Sequence, residues 1–528
     1  MKKYYKYIFI FILLILALGG GGEILRRSGI EPMGEVSVNG SDYQLTSALY
    51  DGFFNGQQVN LAQLNLFMKK MPKGGDLHHH YAGSIYAETY LRWVSDKNWR
   101  IDSCDFTIIQ TPQAEARAPL ESSAQLDSNK EPLKADCQAL TVDQLIHDEL
   151  LYRQLILAWS TFDFKSHYHE QISPDLDFFR TFDYFLPVIE GNFAEGLNIL
   201  KERAIVENID YIETMLNHVE PPIELFFNET ERQNFNMRLQ NAKSQQELDT
   251  ILNEITARLA GDARFAAFIK KTANIIKALH EGIDGDDFMM RFQMHVIRNF
   301  DPFRVFIQLY SAHALAKQSA LVRGVNIVSP EHYPTALRDY TLHMRMYHYL
   351  KQGFPNMRHA LHAGELTLGL VRPEDLTFHI EEAVYIASAS RIGHGIDIAR
   401  EKNALAILDY MKRNEIAVEI NLTSNEFILG VSEQAHPISI YADYGVPIVI
   451  STDDSGVSRN NLTHEYILLA SRYRPSYATI KEYVYNSIRY AFLTTDEMRL
   501  LTKRLDKKFA QFETDMANLY RQFKRSRK

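Results

Sequence analysis

Eight apolar segments with strand-like composition recur along this chain, and most of them are followed by a stretch whose apolar residues have helical spacing. The segments cover residues 76–80, 210–216, 288–296, 321–328, 357–361, 389–394, 416–422 and 446–452. Eightfold alternation of strand and helix is the pattern of a closed parallel sheet with its helices outside. The sequence therefore predicts an α/β fold, a (β/α)8 TIM barrel.

Reactive polar side chains stand at the ends of four of these segments. In a parallel barrel the carboxyl ends of all strands meet at one mouth, where catalytic residues sit. A polar residue at a single strand end is ordinary, but several of them in this order predict a shared site. These residues are His78, His80, His362, Glu365, His394, Asp453 and Asp454.

The types and spacing of these residues favour metal chemistry. His78 and His80 lie two residues apart on a predicted strand, so their imidazoles point to the same face. Neutral imidazole is the commonest metal ligand in proteins, and a carboxylate beside a metal site can shuttle protons. His362 and Glu365, three residues apart, supply one group of each kind.

The charge of the chain argues against a nucleic-acid partner. The formal net charge is -9, whereas nucleic-acid binding depends on clustered Lys and Arg that neutralise phosphates. The basic cluster at residues 524–528 ends the chain and is interpreted as a solvated tail. A small uncharged substrate fits this composition better.

The first 22 residues have the pattern of an export signal. Lys2, Lys3 and Lys6 precede the apolar run 7–18, and small residues stand at the positions that a signal peptidase reads. The run is shorter than the roughly 20 residues of a membrane-spanning helix. We expect an exported protein, secreted or periplasmic, with membrane contact only if residues 1–22 remain uncleaved as an anchor.

The rest of the chain divides into an extension and a barrel domain. Residues 23–70 are predicted as a helical N-terminal extension, because apolar residues recur at helical spacing from residue 42 onward. Packing or formation of a homodimer is the predicted use of this extension. Residues 71–528 are predicted to form the barrel domain, with an insert at about residues 100–140.

Two cysteines bracket the most irregular part of that insert. Cys104 and Cys137 are the only cysteines of the chain, and two thiols in an exported protein are more often a disulfide than a metal site. We expect a disulfide at the base of the insert, with two free thiols as the alternative.

The motifs that carry the reactive residues resemble a known family. The runs are MPKGGDLHHHYAG (71–83), HAGE (362–365), RIGHG (391–395) and STDD (451–454). In sequence and order they resemble the adenosine and AMP deaminases, a family of metal-dependent hydrolases. The export signal, the extension and the cysteine-bearing insert look most like the secreted branch of adenosine deaminase-related growth factors.

The resemblance implies a metal centre. His78, His80, His362 and Asp453 would hold one Zn2+ per chain, because three imidazoles and a carboxylate suit zinc and leave a position for water. Nickel, cobalt or iron could occupy the same ligands.

The resemblance also implies catalytic roles for the remaining motif residues. Hydroxide generated at the metal would attack C6 of a purine while Glu365 delivers a proton to ring nitrogen N1. His394 would orient the hydroxide and carry charge at the tetrahedral centre, and Asp454 would hydrogen-bond the imidazole edge of the purine. The implied reaction converts adenosine, or 2'-deoxyadenosine, to its inosine product plus ammonia.

Further positions resemble segments of the family that contact substrate. They are Gly83, Ser329 within the run 324–331, and Phe178 and Phe182 within the aromatic run 178–183. Together with Asp454 they form the predicted substrate-binding set.

Two departures from the family pattern leave the sugar end of the specificity open. The first motif usually has an acidic residue close to its glycine, where this chain has Tyr81 and Ala82, and Ser329 stands in place of a usual glycine. Another 6-aminopurine or an N6-substituted adenosine therefore remains an alternative substrate. AMP is disfavoured, because no Lys or Arg cluster lies beside the motifs to neutralise a phosphate.

The same residues bear on three other classes of function. A different amidohydrolase on the same barrel would share the first two histidines and the late aspartate, but has no reason to place Glu365 three residues after a ligand. A cytidine-type zinc deaminase needs a Pro-Cys-x-x-Cys element, which this sequence lacks. A secreted binding protein without catalysis is the non-enzyme alternative.

Overall fold

The eight predicted strands are all present and pair in chain order as one parallel sheet. The computed structural model describes residues 41–55, 58–110, 137–161 and 172–526. The predicted signal at residues 1–22 lies outside the described residues. Within them, no helix combines the length and the apolar character that crossing a bilayer requires.

The strands of the sheet are numbered in chain order together with three short strands of the insert. The barrel strands are β1 (Gly74–His80), β5 (Ile209–His218), β6 (Met289–Ile297), β7 (Val322–Val328), β8 (Arg358–Ala363), β9 (Arg391–His394), β10 (Ala417–Ile420) and β11 (Ile448–Ile450). Each of these strands is parallel to its neighbour. The insert contributes β2 (Arg100–Asp102), β3 (Ile108–Ile109) and β4 (Ala139–Leu140), paired in the antiparallel order β3-β2-β4.

The barrel closes at the site residues themselves. His79 on β1 forms a parallel bridge with Asp453, directly beyond β11. The backbone N–H of Asp453 donates to the carbonyl of His78 at 2.9 Å, and the N–H of His80 donates to the carbonyl of Asp453 at 3.2 Å. The two ends of the sheet are therefore joined at the mouth, as the predicted (β/α)8 TIM barrel requires.

The α-helices of the described part are α1 (Ser41–Gly52), α2 (Leu61–Lys70), α3 (Tyr81–Ser84), α4 (Ala87–Asp96), α5 (Val142–Ile146), α6 (Glu149–Ala158), α7 (Pro174–Ile189), α8 (Phe193–Val206), α9 (Glu229–Asn241), α10 (Gln245–Ala260), α11 (Ala263–Leu279), α12 (Pro302–Gln318), α13 (Pro334–Gly353), α14 (His379–Tyr385), α15 (Ala404–Arg413), α16 (Leu422–Leu429), α17 (Ile438–Tyr444), α18 (Leu462–Tyr473), α19 (Tyr477–Arg489) and α20 (Thr495–Ser526). Within the same described residues, four 3-10 helices cover Ile223–Leu225, Pro373–Leu376, Ile396–Arg400 and Glu433–Ala435.

The core lies on both sides of the barrel wall. Leu77, Val418 and Val449 on three different strands are fully buried, as expected where helices cover a parallel sheet. Helix α15 shows the matching pattern, because Leu408 and Met411 face inward three residues apart while its other side is charged. Such burial fixes the strand ends rigidly, which is what a site built on them needs.

The described part of the predicted extension forms helices α1 and α2 and packs on the end of the same chain, while residues 23–40 lie outside the described residues. Thr46 on α1 donates to the carbonyl of Glu513 on α20 at 3.0 Å, and Asp42 pairs with Arg521 at 2.7 Å. Tyr50 donates to the carbonyl of Pro475 at 3.0 Å. The inner face of α1 is thus occupied by its own barrel domain.

The predicted disulfide between Cys104 and Cys137 is confirmed, with the two Cα atoms 5.5 Å apart. It joins the end of β2 to the start of β4, so it ties the base of the insert to the small antiparallel sheet. Residues 111–136 between these strands lie outside the described residues.

Candidate active site

Three strand ends bring the predicted metal ligands to one point. The Nε2 atoms of His80 and His362 lie 3.2 Å apart. The Oδ1 atom of Asp453 lies 3.4 Å from His78 Nε2 and 3.2 Å from His80 Nε2. Strands β1, β8 and β11 thus deliver all four side chains to the mouth of the barrel.

Hydrogen bonds behind two of the imidazoles determine which nitrogen faces this cluster. The Nδ1–H of His78 donates to Glu419 Oε2 at 2.7 Å, and the Nδ1–H of His362 donates to Asn326 Oδ1 at 2.9 Å. Asn326 Oδ1 also accepts the backbone N–H of Ile327 at 2.8 Å, which fixes it as the acceptor. Each Nε2 therefore turns a lone pair toward the cluster, the arrangement by which neighbouring residues orient metal-binding histidines.

These residues fit a divalent metal ion. His78 Nε2 is buried, has no hydrogen-bond partner among the described residues, and faces the carboxylate of Asp453. A lone pair and a carboxylate repel each other unless a positive charge lies between them. Burial lowers the pKa of His78, but Asp453 and Glu419 outweigh it and raise that pKa to about 10. The centre therefore attracts a cation, and three imidazole nitrogens with one carboxylate oxygen suit zinc.

Glu365 lies beside the cluster in surroundings that favour its protonated form. Burial, with added repulsion from the carboxylates of Asp453 and Glu331, raises the pKa of Glu365 well above its ordinary value. Its Oε1 atom lies 3.5 Å from His394 Nδ1. A protonated carboxyl in this position can act as a general acid at neutral pH.

A second buried carboxylate holds the turn that presents Glu365. Glu331 accepts the backbone N–H groups of Gly364 at 3.1 Å and of Glu365 at 3.0 Å. It also pairs with His379 Nδ1 at 2.6 Å, and Arg298 lies 3.6 Å away. Burial raises the pKa of Glu331, but the charge of Arg298 and the contact with His379 lower it to about 2. Glu331 is therefore a charged acceptor that braces the turn.

His394 ends β9 on the other side of the cluster. Its Nε2 atom lies 3.9 Å from Asp453 Oδ2 and has no hydrogen-bond partner among the described residues. Burial, followed by the electrostatic effect of the neighbouring His78 imidazole, lowers the pKa of His394 to about 3, which favours a neutral ring. Its φ of 66° lies in the left-handed region, as does the φ of 61° at Asp453, which is the kind of backbone strain that concentrates at functional sites.

Asp454 lies next to the cluster with an unoccupied acceptor. Its Oδ1 atom is buried without a hydrogen-bond partner in the described part of the chain, and burial, followed by the charge of Asp453, raises the pKa of Asp454. A Cβ atom on Gly83 would lie 1.5 Å from that Oδ1. Gly83 is therefore required so that the Asp454 side chain can reach this place.

A cavity of about 760 Å³ opens beside the cluster, within the range of small-molecule sites. His80 and Asp454 line its inner end, and Phe182 and Ser329 lie on its wall. Of the residues that are predicted to contact substrate, Asp454, Phe182 and Ser329 line the cavity.

Phe178 and Gly83, which were also predicted to contact substrate, do not line this cavity. Phe178 is 1% exposed and packs in the core, while its neighbour Phe179 lines the cavity instead. Gly83 lies beneath Asp454 and does not line the cavity. On α7 the cavity wall is therefore formed by Phe179 and not by Phe178, because adjacent positions on a helix point about 100° apart.

Sequence reasoning missed several residues that the structure places at the site. His218 and His295 line the cavity from the ends of β5 and β6, and the strand-end rule that found the other histidines applies to both. Glu331, Glu419 and Asn326 act through hydrogen bonds between distant elements, for which the sequence offers no local signal.

Comparison with known proteins adds an independent observation. The profile of the adenosine deaminase family matches residues 271–508, a segment that contains the site residues from His362 to Asp454 and excludes His78 and His80. Adenosine deaminase of Escherichia coli strain SMS-3-5 is 32% identical over 146 residues, which are 28% of this chain and 40% of that protein. The chain thus spans about 40% of the length of the curated relatives it matches.

Two solved structures share the architecture. The N6-mAMP deaminase of Arabidopsis covers 84% of this chain and 99% of its own, with a TM-score of 0.51 and 15% sequence identity. Arabidopsis ADAL complexed with GMP covers 84% of this chain and 98% of its own, with a TM-score of 0.50 and 14% identity. At this level of identity the likeness shows the shared barrel fold.

Proposed function

We propose that the chain, whose residues 271–508 match the adenosine deaminase family, is a zinc-dependent hydrolase that converts adenosine and 2'-deoxyadenosine to inosine products and ammonia. The observation that carries the proposal is the convergence of the four predicted metal-ligand side chains beside the buried carboxyl of Glu365, whose pKa is raised.

The metal would be held by His78, His80, His362 and Asp453, whose buried lone pairs and carboxylate support a divalent ion. Zinc is proposed because nitrogen ligands with one carboxylate suit it, although the same set can bind other first-row metals. When bound, such an ion makes a water molecule acidic enough to lose a proton near neutral pH.

Three residues of the chain would then have separate roles in the reaction of the purine. Glu365 would donate its proton to N1, because a ring protonated at N1 accepts hydroxide addition at C6 more readily than the free base. Asp454, with its unpaired Oδ1, would bond the imidazole edge of the purine and fix its orientation. His394 would stabilise the charge that develops at C6 during addition.

The cavity supports an uncharged substrate better than a nucleotide. Among its described lining residues, Arg180 is the one Lys or Arg, whereas Asp183, Glu190 and Asp454 are acidic. A phosphate monoester would find a single guanidinium there among three carboxyl groups, too little positive charge to neutralise it. Adenosine is therefore the proposed substrate.

An N6-substituted adenosine is the second candidate. The volume of about 760 Å³ leaves room beyond a bare nucleoside, and one solved structure with the same fold is described as an N6-mAMP deaminase. A different amidohydrolase reaction on this barrel is the less favoured alternative, because the HAGE and STDD motifs lie inside the segment that matches the family.

Export and assembly are also proposed. The basic and apolar pattern of residues 1–22 supports a secreted or periplasmic protein, or a membrane-anchored one if this segment is uncleaved. With the insert and its disulfide, it supports a place in the secreted growth-factor branch. A homodimer would use the outer face of α2, where Leu61 and Leu66 are exposed, and a monomeric mass in solution would contradict it.

The test is the loss of adenosine ultraviolet absorbance with purified protein before chelation, after chelation, and after zinc is restored. We expect turnover that disappears and returns with the metal. Parallel assays with 2'-deoxyadenosine, N6-methyladenosine and AMP rank the candidates. Absence of turnover for all four by the zinc-loaded protein would contradict the proposed function.

A further inference from the structure

A buried amide connects His394 to a second histidine outside the metal cluster. Asn425 on α16 places its Nδ2 atom 2.9 Å from His394 Nδ1 and its Oδ1 atom 3.1 Å from His436 Nε2. All three side chains are at most 1% exposed. Neither Asn425 nor His436 has a role in the chemistry described so far.

The direction of every hydrogen bond in this series is set by a backbone group. The N–H of Ile438 lies 3.1 Å from His436 Nδ1, and a backbone N–H can only donate. The Nδ1 atom of a neutral His436 therefore accepts, and its proton is on Nε2. Burial and the charge of Arg472 lower the pKa of His436 to about 4, in agreement with a neutral ring.

The orientation of the Asn425 amide follows from this. Because His436 Nε2–H donates, the atom of Asn425 that meets it must be the oxygen, and Nδ2 must turn toward His394. An amide N–H donates to His394 Nδ1, so this nitrogen carries a lone pair and the ring proton lies on Nε2. The tautomer of His394 is thus determined from the backbone of Ile438 through two side chains.

The other groups around His394 Nδ1 agree with this assignment. Asn421 Nδ2 lies 3.4 Å away and can only donate. Glu365 Oε1 lies 3.5 Å away, at the limit of hydrogen-bond distance. On the opposite side of the ring, Nε2 has no hydrogen-bond partner in the described part of the chain and lies 3.9 Å from Asp453 Oδ2.

We propose that Asn425 and His436 are positioning residues that hold His394 as its Nε2–H tautomer, ready to donate a hydrogen bond to the oxygen that gains negative charge at the reacting carbon. An N–H donor stabilises such an oxygen, whereas the lone pair of the other tautomer repels it. The catalytic role of this N–H donor rests on the proposed function, whereas the assignment of the His394 tautomer does not.

Replacing the Asn425 amide with a carboxylate should reverse the tautomer of His394. In Asn425→Asp, both oxygens accept, so His394 must offer Nδ1–H and present a bare Nε2 to the site. We expect kcat to fall by at least about 100-fold, the size of effect seen when an oxyanion donor is lost, with little change in KM or zinc content. Asn486→Asp makes the same exchange at a buried amide that donates to the carbonyl of Ile448, far from His394, and should retain its kcat.

The second histidine offers a rescue test. His436→Phe removes the donor that orients Asn425, so the amide can rotate and both His394 tautomers are populated, which lowers kcat less than Asn425→Asp does. His436→Gln replaces the donor with an amide N–H and should recover most of the activity. Equal activity of the Phe and Gln variants would contradict the positioning role of His436.

The decisive measurement is the position of the ring proton. Long-range 1H–15N correlation on zinc-loaded protein with 15N-labelled histidine separates protonated from bare ring nitrogens, and the His394 signals are those missing in His394→Gln. We expect Nε2–H in the unmodified protein and Nδ1–H in Asn425→Asp. Nδ1–H in the unmodified protein, or no change in Asn425→Asp, would overturn the inference. If the expected tautomers are observed but adenosine is not turned over, the proposed function is contradicted and the assignment of the His394 tautomer stands.

Discussion

Glu419 accepts the Nδ1–H of His78 across 2.7 Å at the base of the metal cluster. Both side chains are fully buried, and Arg391 forms a salt bridge with the same carboxylate from below. Burial raises the pKa of Glu419, but Arg391 and His78 lower it to about 2. The carboxylate is therefore charged, which fixes the ring of His78 and increases the basicity of its Nε2.

Glu419→Gln should weaken zinc binding. A neutral amide polarises the imidazole less than a carboxylate, and loss of such a partner typically costs about 10–100-fold in metal affinity. Competition with a chromophoric chelator measures the dissociation constant. Glu465→Gln is the matched control, because Glu465 is equally buried but accepts from Thr423 and Asn460 instead of an imidazole. Equal affinities of the two variants would contradict the role of Glu419.

Glu365→Gln should abolish most of the chemistry and leave the metal in place. The amide has nearly the same shape as the carboxyl but cannot deliver its proton to N1, and general acid catalysis typically contributes about 10²–10⁴-fold. We expect kcat to fall by that factor while zinc content, measured by elemental analysis, stays at one ion per chain. A loss of zinc in this variant would show that Glu365 acts as a ligand.

Chelation should lower stability as well as activity. An ion that binds only the folded chain stabilises it by about 2.7 kcal/mol at 100 times its dissociation constant. We expect the melting temperature of the chelated protein to fall and to return when zinc is added. Asp453→Asn, which weakens the ligand set, should show a smaller zinc-dependent shift. An identical shift in this variant would mean that zinc stabilises the protein from another site.

The barrel, and the meeting of the predicted metal ligands at one mouth, could be predicted from the sequence, because both depend on regular patterns. Strand and helix alternate with distinct periods, and the strand-end rule places His78, His362 and Asp453 at one mouth whatever the details of packing. The register of a helix is harder. Aromatic residues at positions 178, 179 and 182 give α7 a wide apolar surface, so the sequence does not show that Phe178 faces the core and Phe179 the cavity.

The supporting groups could not be predicted, because their partners are distant in the sequence. Glu331 reaches Glu365 across 34 positions, and Glu419 reaches His78 across 341. Each contact exists only after the barrel has closed, and a buried carboxylate has no local pattern of its own. The motifs therefore identify the reacting groups, and the structure identifies what holds them.

Glu331→Gln tests whether the Glu331 carboxylate holds the turn at residues 362–365 in place. The amide can accept only one of the two N–H groups of Gly364 and Glu365, so the turn should loosen and displace the proton donor. We expect kcat to fall by about tenfold or more, since misplacement of about 1 Å can cost about 100-fold. Glu401→Gln is the control, because Glu401 accepts the N–H groups of Ile380 and Glu381. It should lose comparable stability and retain kcat.

Glu331 should also make stability depend on pH in the acid range. Its pKa of about 2 in the folded chain is below the ordinary 4.5, so its stabilisation is complete above pH 4.5 and is lost as pH falls toward 2. The difference corresponds to stabilisation on the order of 3 kcal/mol. Urea unfolding at pH 7 and pH 3.5 should show a smaller decrease in the free energy of unfolding for Glu331→Gln than for the unmodified protein. Equal decreases would mean that Glu331 titrates normally in the folded chain.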